Sequence, residues 1–189
     1  MLAPAATTPV GEAAPAASLA QILEARDRRA GWQSDLLAGE HGPVLSLTLV
    51  SPGAVKDSPG RRLLMSAMED AFAETFRSAH LAVRTRRRLD GLTGPEALWV
   101  VEAPPEEVKR LAVGIEEGNP WGRLLDADVI VRGSRGEPVP LERTAFGGEA
   151  RRCLVCGREA KACIGLRRHS PCEAEAKVTA MILNLAGQP

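Results

Sequence analysis

The sequence predicts an α+β fold in one domain: a split β-α-β-β-α-β mixed sheet with helices on one face, followed by a Cys-containing segment and a last helix. Three observations lead there. Short stretches of alternating or continuous apolar residues (44–50, 81–89, 97–102 and 126–131) are interleaved with stretches of helical period (59–79 and 104–118) in the order that motif requires. Gly, Pro and Ser punctuate the junctions. A chain of 189 residues, 44% hydrophobic and 25% charged, has the composition of one globular core.

Each element has its own signal. Ser18 with Gln21 reads as a capping box, and Leu19, Ile22, Leu23, Arg26 and Ala30 continue at helical spacing, so a first helix covers about 18–38 and Gly39 ends it. Val44–Val50 (VLSLTLV) alternates apolar residues with Ser46 and Thr48, the period of a half-buried strand, and Ser51–Ser58 (SPGAVKDS) follows as a turn-rich loop. From Pro59 to about Ala79 the residues Leu64, Met68, Ala71, Phe72, Thr75, Phe76 and Ala79 share one helical face, with Asp57 or Ser58 as N-cap. Leu81–Leu89 and Ala97–Glu102 form a hairpin about the turn Gly91–Pro95. Pro104 and Pro105 open a helix carrying Val108, Leu111, Ala112 and Ile115, which Gly118 closes. Asn119–Leu125 (NPWGRLL) leads into a strand from about Asp126 to Val131. After Ser170, Pro171 at N1 and Glu173 in a capping box begin the last helix, which ends near Gly187.

Composition narrows the classes of function. Lys plus Arg equals Asp plus Glu at 24 each, so no global field draws the chain to nucleic acid or anionic lipid, and any phosphate must be held by a local cluster. Aromatic residues are 3% with no Tyr, which removes the stacking platforms of single-strand binders. Neither a nucleic acid nor a membrane is an expected partner. Residues 1–17 lack the basic start and apolar run of a secretory signal and read as a disordered lead before one domain at 18–189. The four Cys cluster in the last quarter, which fits a reducing cytoplasm better than a disulfide framework.

Two constellations point to phosphate chemistry. Asp126 and Asp128 lie at i and i+2 on a strand, so their carboxylates share a face and can share a Mg²⁺ ion; two solvated edge acids are the plainer reading. Ahead of them Gly122 permits close backbone approach and Arg123 offers a bidentate phosphate fork. In the Ser51–Ser58 loop, Gly53 can turn backbone N–H groups toward a ligand and Lys56 adds a charge at the start of the next helix, unless the loop is a simple connector. In a split sheet the first and last strands are antiparallel neighbours, which sets Lys56 beside Asp126 and Asp128. Arg61 and Arg62, one turn into the helix, either reach the same cleft or are solvated.

A third constellation is Cys153-x-x-Cys156 with Cys163 and His169 beyond, within a Cys-rich subregion at 151–169. Cys-x-x-Cys is a zinc knuckle, and three thiolates with an imidazole complete the closed tetrahedron of a structural Zn²⁺ site; unligated thiols or a redox role are the alternatives. Cys172 is the spare thiol or a substitute ligand. Arg84–Arg88 (RTRRR) reads as a solvated strand face, or as a docking patch for an acidic carrier.

Taken in order, LEARDRR (23–29), LSLTLVSPGAVKDS (45–58), GNPWGRLLDADV (118–129) and RRCLVCGREAKACIGLRRH (151–169) resemble the apo-citrate lyase phosphoribosyl-dephospho-CoA transferase family, over about residues 18–185. The resemblance implies transfer of 2′-(5″-triphosphoribosyl)-3′-dephospho-CoA to a Ser of the citrate lyase acyl-carrier (gamma) subunit, with diphosphate as the other product. Within it Asp126 and Asp128 would be the catalytic, Mg²⁺-holding pair, and Gly53, Lys56, Arg61, Gly122 and Arg123 would bind the precursor. The paired strand carboxylates resemble those of nucleotidyltransferases, although the Gly-Ser lead of those enzymes is absent. Two other readings stand beside this one: the same transfer to a malonate decarboxylase carrier, and a non-catalytic zinc-knuckle interaction module.

Overall fold

Strand and helix periods place two opposite faces on one sheet, and the computed structural model, which describes residues 15–146 and 149–186, shows both faces covered. In chain order the elements are α1 (Leu19–Gly39), β1 (Val44–Leu49), α2 (Pro59–Ser78), β2 (Ala82–Leu89), β3 (Glu96–Glu102), α3 (Pro105–Gly118), β4 (Leu125–Arg132), β5 (Pro138–Pro140), α4 (Ala160–Gly165) and α5 (Pro171–Ala186). The strands form one sheet in the order β2-β3-β1-β4-β5. This is the ferredoxin-like arrangement expected of a split β-α-β-β-α-β unit, with β5 added at one edge. Every neighbouring pair is antiparallel, and β1 and β2 run the same way but are separated by β3.

The two helices of the split unit lie on one face, as the sequence leads one to expect, and α5 joins them there. Leu64, Met68, Phe72 and Phe76 recur every four residues along α2 and are all buried, as the helical period demands. They meet Leu45 and Leu47 of β1, Trp99 of β3, Ala112 of α3, and Val178 and Ile182 of α5. Phe72 and Phe76 both stand edge-on to Trp99 with centroids 6.4 and 6.2 Å away. The unexpected element is α1. It precedes the unit and takes the other face, where Leu36 and Leu37 pack on Val44, Leu98, Val100 and Ile130.

The helix starts follow their caps. The Ser18 hydroxyl accepts from the Gln21 N–H while the Gln21 side chain accepts from the Ser18 N–H, and Ser170 and Glu173 repeat the arrangement ahead of α5. Ser58 caps α2, and Asp57 pairs with Arg62 instead. Residues 1–14 of the expected disordered lead and Gly187, the expected end of α5, lie outside the described residues; Ala17 of that lead is buried and donates its N–H to the Ala54 carbonyl at 3.1 Å.

Candidate active site

Antiparallel register decides what faces α1. Thr48 of β1 stands opposite Asp126 of β4 and Glu96 of β3, and Ser46 stands opposite Asp128. Because side chains alternate, Leu45, Leu47, Leu125 and Ala127 point into the α2–α3–α5 core, while Ser46, Thr48, Asp126 and Asp128 point toward α1. That face of the sheet is therefore split along its length. Its far end is apolar under Leu36 and Leu37, and its near end is polar under Arg26, Arg29 and Gln33.

The polar end is hollow. Two adjoining hollows of about 300 and about 260 Å³ share Arg26, Arg29, Thr48 and Asp126; the first continues to Lys56 and the hairpin turn at Thr93 and Gly94, the second to Asp128, Ser46 and Pro138. Gly94 sits at φ +100°, and a Cβ there would lie 2.9 Å from the Lys56 carbonyl oxygen, so glycine lets the turn close against the Lys56 backbone. Glu96 accepts from Arg28 at 2.9 Å and from Arg29 at 2.7 Å, and Gln33 donates to the Ser46 hydroxyl at 3.1 Å. These contacts bind α1 to the sheet beside the hollow.

The hollow is lined by the cations Arg26, Arg29 and Lys56 and by the carboxylate pair Asp126 and Asp128. Solvent reaches Asp128, yet the protein packed around it desolvates the carboxyl and the Asp126 charge opposes its ionisation, so its pKa is raised. The Lys56 ammonium is pushed below the usual lysine range by burial, against the pull of Glu175, with Arg61 and Arg26 adding to the depression. Its Nζ donates to the Ser51 carbonyl.

Behind the carboxylate pair, the first part of the outer edge of β4, ahead of its pairing with β5 at Ile130–Arg132, is completed by side chains instead of a strand. The Ala127 N–H donates to Glu116 at 3.0 Å, Lys109 donates to the Ala127 carbonyl at 3.3 Å, and Arg151 donates to the Leu125 carbonyl at 3.0 Å. Glu116 and Lys109 are buried on one face of α3. Arg151 also pairs with Glu116 and reaches Asp126 at 3.0 Å. Burial raises the Glu116 pKa, and Arg151, the Ala127 N–H, Arg143 and Lys109 hold it back.

Of the residues expected at the site, Lys56, Asp126 and Asp128 come together. Gly53 and Arg61 face elsewhere. Gly53 donates its N–H to Glu175 at 3.3 Å, and buried Arg61 pairs with the same carboxylate and donates to the Ser51 hydroxyl at 3.2 Å, so both join the loop to α5. Gly122 is pressed on the end of α3, where a Cβ would meet the Ile115 carbonyl at 2.5 Å, and Arg123 donates to the carbonyls of Arg152 and Cys153. These two line a separate hollow with Arg143 and Arg151. Sequence reasoning assigned no role to Arg26, Arg29 and Gln33, although their i, i+3, i+7 spacing on α1 marks one helical face.

The Cys segment packs beside this edge. Ligand atoms of Cys153, Cys156, Cys163 and His169 all lie within 4.8 Å of one another, with the Cys156 and Cys163 sulfurs 3.6 Å apart, so the group can hold a metal ion. Cys172 is exposed on α5, outside that group. The Arg84–Arg88 run is largely engaged within the chain: Arg88 pairs with Glu69 and Asp90, Arg84 with Glu102, and the Arg86 guanidinium lies 4.0 Å from the Trp99 ring centroid.

No helix among the described residues is long and apolar enough to cross a membrane. The profile of the family described as apo-citrate lyase phosphoribosyl-dephospho-CoA transferase matches residues 17–185. A protein of Streptococcus pyogenes serotype M18 named probable apo-citrate lyase phosphoribosyl-dephospho-CoA transferase is 33% identical over 172 residues, 88% of this chain and 86% of that one. The apo-citrate lyase phosphoribosyl-dephospho-CoA transferase of Citrobacter koseri is 33% identical over 155 residues, 82% of each chain, and that of Shigella flexneri serotype 5b is 29% identical over 154 residues, again 82% of each. With a match that runs from ahead of α1 into the last turn of α5 and takes in every segment around the hollow, the chain belongs to the apo-citrate lyase phosphoribosyl-dephospho-CoA transferase family.

Proposed function

We propose that this protein is a nucleotidyltransferase-type enzyme that moves the phosphoribosyl-dephospho-CoA unit of 2′-(5″-triphosphoribosyl)-3′-dephospho-CoA to a serine of the apo-citrate lyase acyl-carrier subunit. Family membership over residues 17–185 carries the choice of substrates. The hollow under α1 supplies a place for the chemistry. In the reaction the serine oxygen forms a bond to the α-phosphorus of the triphosphate, the α–β anhydride bond breaks, diphosphate leaves, and the hydroxyl gives up its proton.

Such a transfer is helped most by charges placed around the phosphoryl group. Arg26, Arg29 and Lys56 line the hollow from one side and Asp126 and Asp128 from the other. The carboxylate pair fits a divalent cation: desolvation and then the neighbouring Asp126 charge raise the Asp128 pKa, and a cation between the two carboxylates would offset both. Mg²⁺ held by Asp126 and Asp128 would neutralise charge on the phosphate oxygens. Arg26 and Lys56 would hold the triphosphate against that pair, and Thr93 and Gly94 would bound the far end of the hollow.

The test is to incubate the protein with the triphosphoribosyl precursor, Mg²⁺ and apo carrier subunit, and to weigh the carrier. The expected result is a gain of one phosphoribosyl-dephospho-CoA unit on a serine, with one diphosphate released per carrier. Modification at another residue type, or none, would overturn the assignment.

A further inference from the structure

We propose that Cys153, Cys156, Cys163 and His169 bind one zinc ion, and that this site is the anchor holding Arg151 against Asp126. The metal half stands on the geometry of the segment alone. The positioning half rests on the transfer reading given above.

The segment from Arg151 to His169 has little apolar burial to hold it. Helix α4 is 6 residues long, too short to persist by its own hydrogen bonds, and Ile164 within it and Leu166 just after it are 76% and 68% exposed. Inward contact falls to Cys153, Cys163 and partly buried Leu154. Fixing a chain of this length costs on the order of 1–2 kcal/mol per residue in backbone entropy, which that much burial does not offset.

What the segment does have is a preformed set of ligands. Zinc–thiolate bonds of about 2.3 Å in a tetrahedron put sulfurs about 3.8 Å apart. The Cys156 and Cys163 sulfurs are 3.6 Å apart, and all four ligand atoms fall within 4.8 Å of one another. Unbonded thiols have no reason to converge in this way from a loop and a short helix. The backbone is turned for the purpose: the Gly157 N–H donates to the Cys153 carbonyl at 2.9 Å, and Gly157 takes φ +74°, which folds the chain back directly after the second cysteine of the knuckle. His169 Nε2 is buried and has no hydrogen-bond partner among the described residues. A buried imidazole nitrogen in that state is costly unless it meets a ligand. Binding Zn²⁺ releases three thiol protons to solvent and leaves the imidazole neutral.

The site is joined to the reaction centre by two arginines. Arg123 donates to the Cys153 carbonyl at 2.8 Å, so the loop before β4 grips the knuckle from outside. Arg151, just ahead of Cys153, carries the grip inward to Glu116, to the Leu125 carbonyl and to Asp126. Where the knuckle sits therefore sets where the Arg151 guanidinium sits, and Arg151 sets the orientation of a proposed Mg²⁺ ligand. It is a positioning residue, not one that touches the precursor.

Zinc content and transfer rate are to be measured on freshly purified wild type and on the Cys156→Ser, Cys172→Ser, Arg151→Gln, Arg151→Lys and Cys156→Ser/Arg151→Gln proteins. The proposal expects about one zinc per chain in wild type, Cys172→Ser and both Arg151 variants, and none in proteins lacking Cys156. It expects transfer to fall about tenfold or more in Arg151→Gln and in Cys156→Ser, part of the loss to return in Arg151→Lys, and the double variant to be no worse than Cys156→Ser alone. If wild type carries less than about a tenth of a zinc and shows no tetrahedral thiolate–cobalt absorption when titrated with Co²⁺ under reducing conditions, the metal site is overturned. Full zinc in wild type together with additive losses of transfer in the double variant overturns the positioning role. Full zinc without any transfer in wild type refutes the proposed reaction and leaves the metal site standing.

Discussion

Asp126 and Asp128 owe their position to register. Set opposite Thr48 and Ser46, they project from the sheet on the side that α1 only half covers. Replacing either with Asn keeps size and hydrogen-bonding while removing a charge, so Asp126→Asn and Asp128→Asn are expected to fold normally and to lose about a hundredfold or more in transfer rate, measured as diphosphate released. Unchanged thermal unfolding with near-normal rates in both would remove the pair from the chemistry. Lys56 permits a test of sign. Its ammonium is charged below its pKa and neutral above it, and burial has lowered that pKa from 10.5. Precursor affinity should then fall as pH rises toward the alkaline range, sooner than for an exposed lysine, and Lys56→Arg should abolish that fall because guanidinium stays charged. Calorimetry at a series of pH values reads this directly; Glu175, Arg61, Arg26, Asp126 and Glu96, which neighbour Lys56 or share its hollow, are the groups to control for.

At the scale of elements, the loop from Ser51 to Ser58 is tied from behind to α5. Glu175 accepts from the Gly53 N–H and pairs with Arg61, whose side chain is only 6% exposed. Removing the carboxylate strands a buried guanidinium, so Glu175→Ala should cost about 3 kcal/mol in urea unfolding and Glu175→Gln clearly less. A loss equal in both would mean that the charge carries the whole effect and the hydrogen bonds an amide can keep contribute nothing. The strands and helices of the split unit were legible from the sequence because their periods differ and their faces are continuous, as the buried row Leu64, Met68, Phe72 and Phe76 shows. The face chosen by α1 was not. Its apolar residues are divided between exposed Leu19 and Leu23 and buried Leu36 and Leu37, and the face that lines the hollow is arginine-rich, so no single stripe announces a partner. β5 escaped notice because Pro138–Pro140 has proline at both ends, as suits an edge strand alone. Arg123 was expected at the carboxylates from its place in the chain, but the direction of a loop side chain depends on what packs there, and the Cys segment that captures it begins 28 residues later at Arg151, as the numbering shows.

For the molecule as a whole, the same sheet does two different jobs on its two faces. One face buries the main core under α2, α3 and α5, while the other is divided between an apolar contact with α1 and the charged hollow. On the reading proposed above, substrate would reach the carboxylates without opening the main core. The central claim is that this hollow carries out transfer of the prosthetic group to the citrate lyase carrier. It is tested most directly by mass spectrometry of apo carrier incubated with the triphosphoribosyl precursor and either wild-type protein or the Asp126→Asn/Asp128→Asn double variant. Wild type should yield a carrier heavier by one phosphoribosyl-dephospho-CoA unit, and the variant an unmodified carrier over the same time. A carrier modified equally by both proteins would rule out transfer at the carboxylate pair.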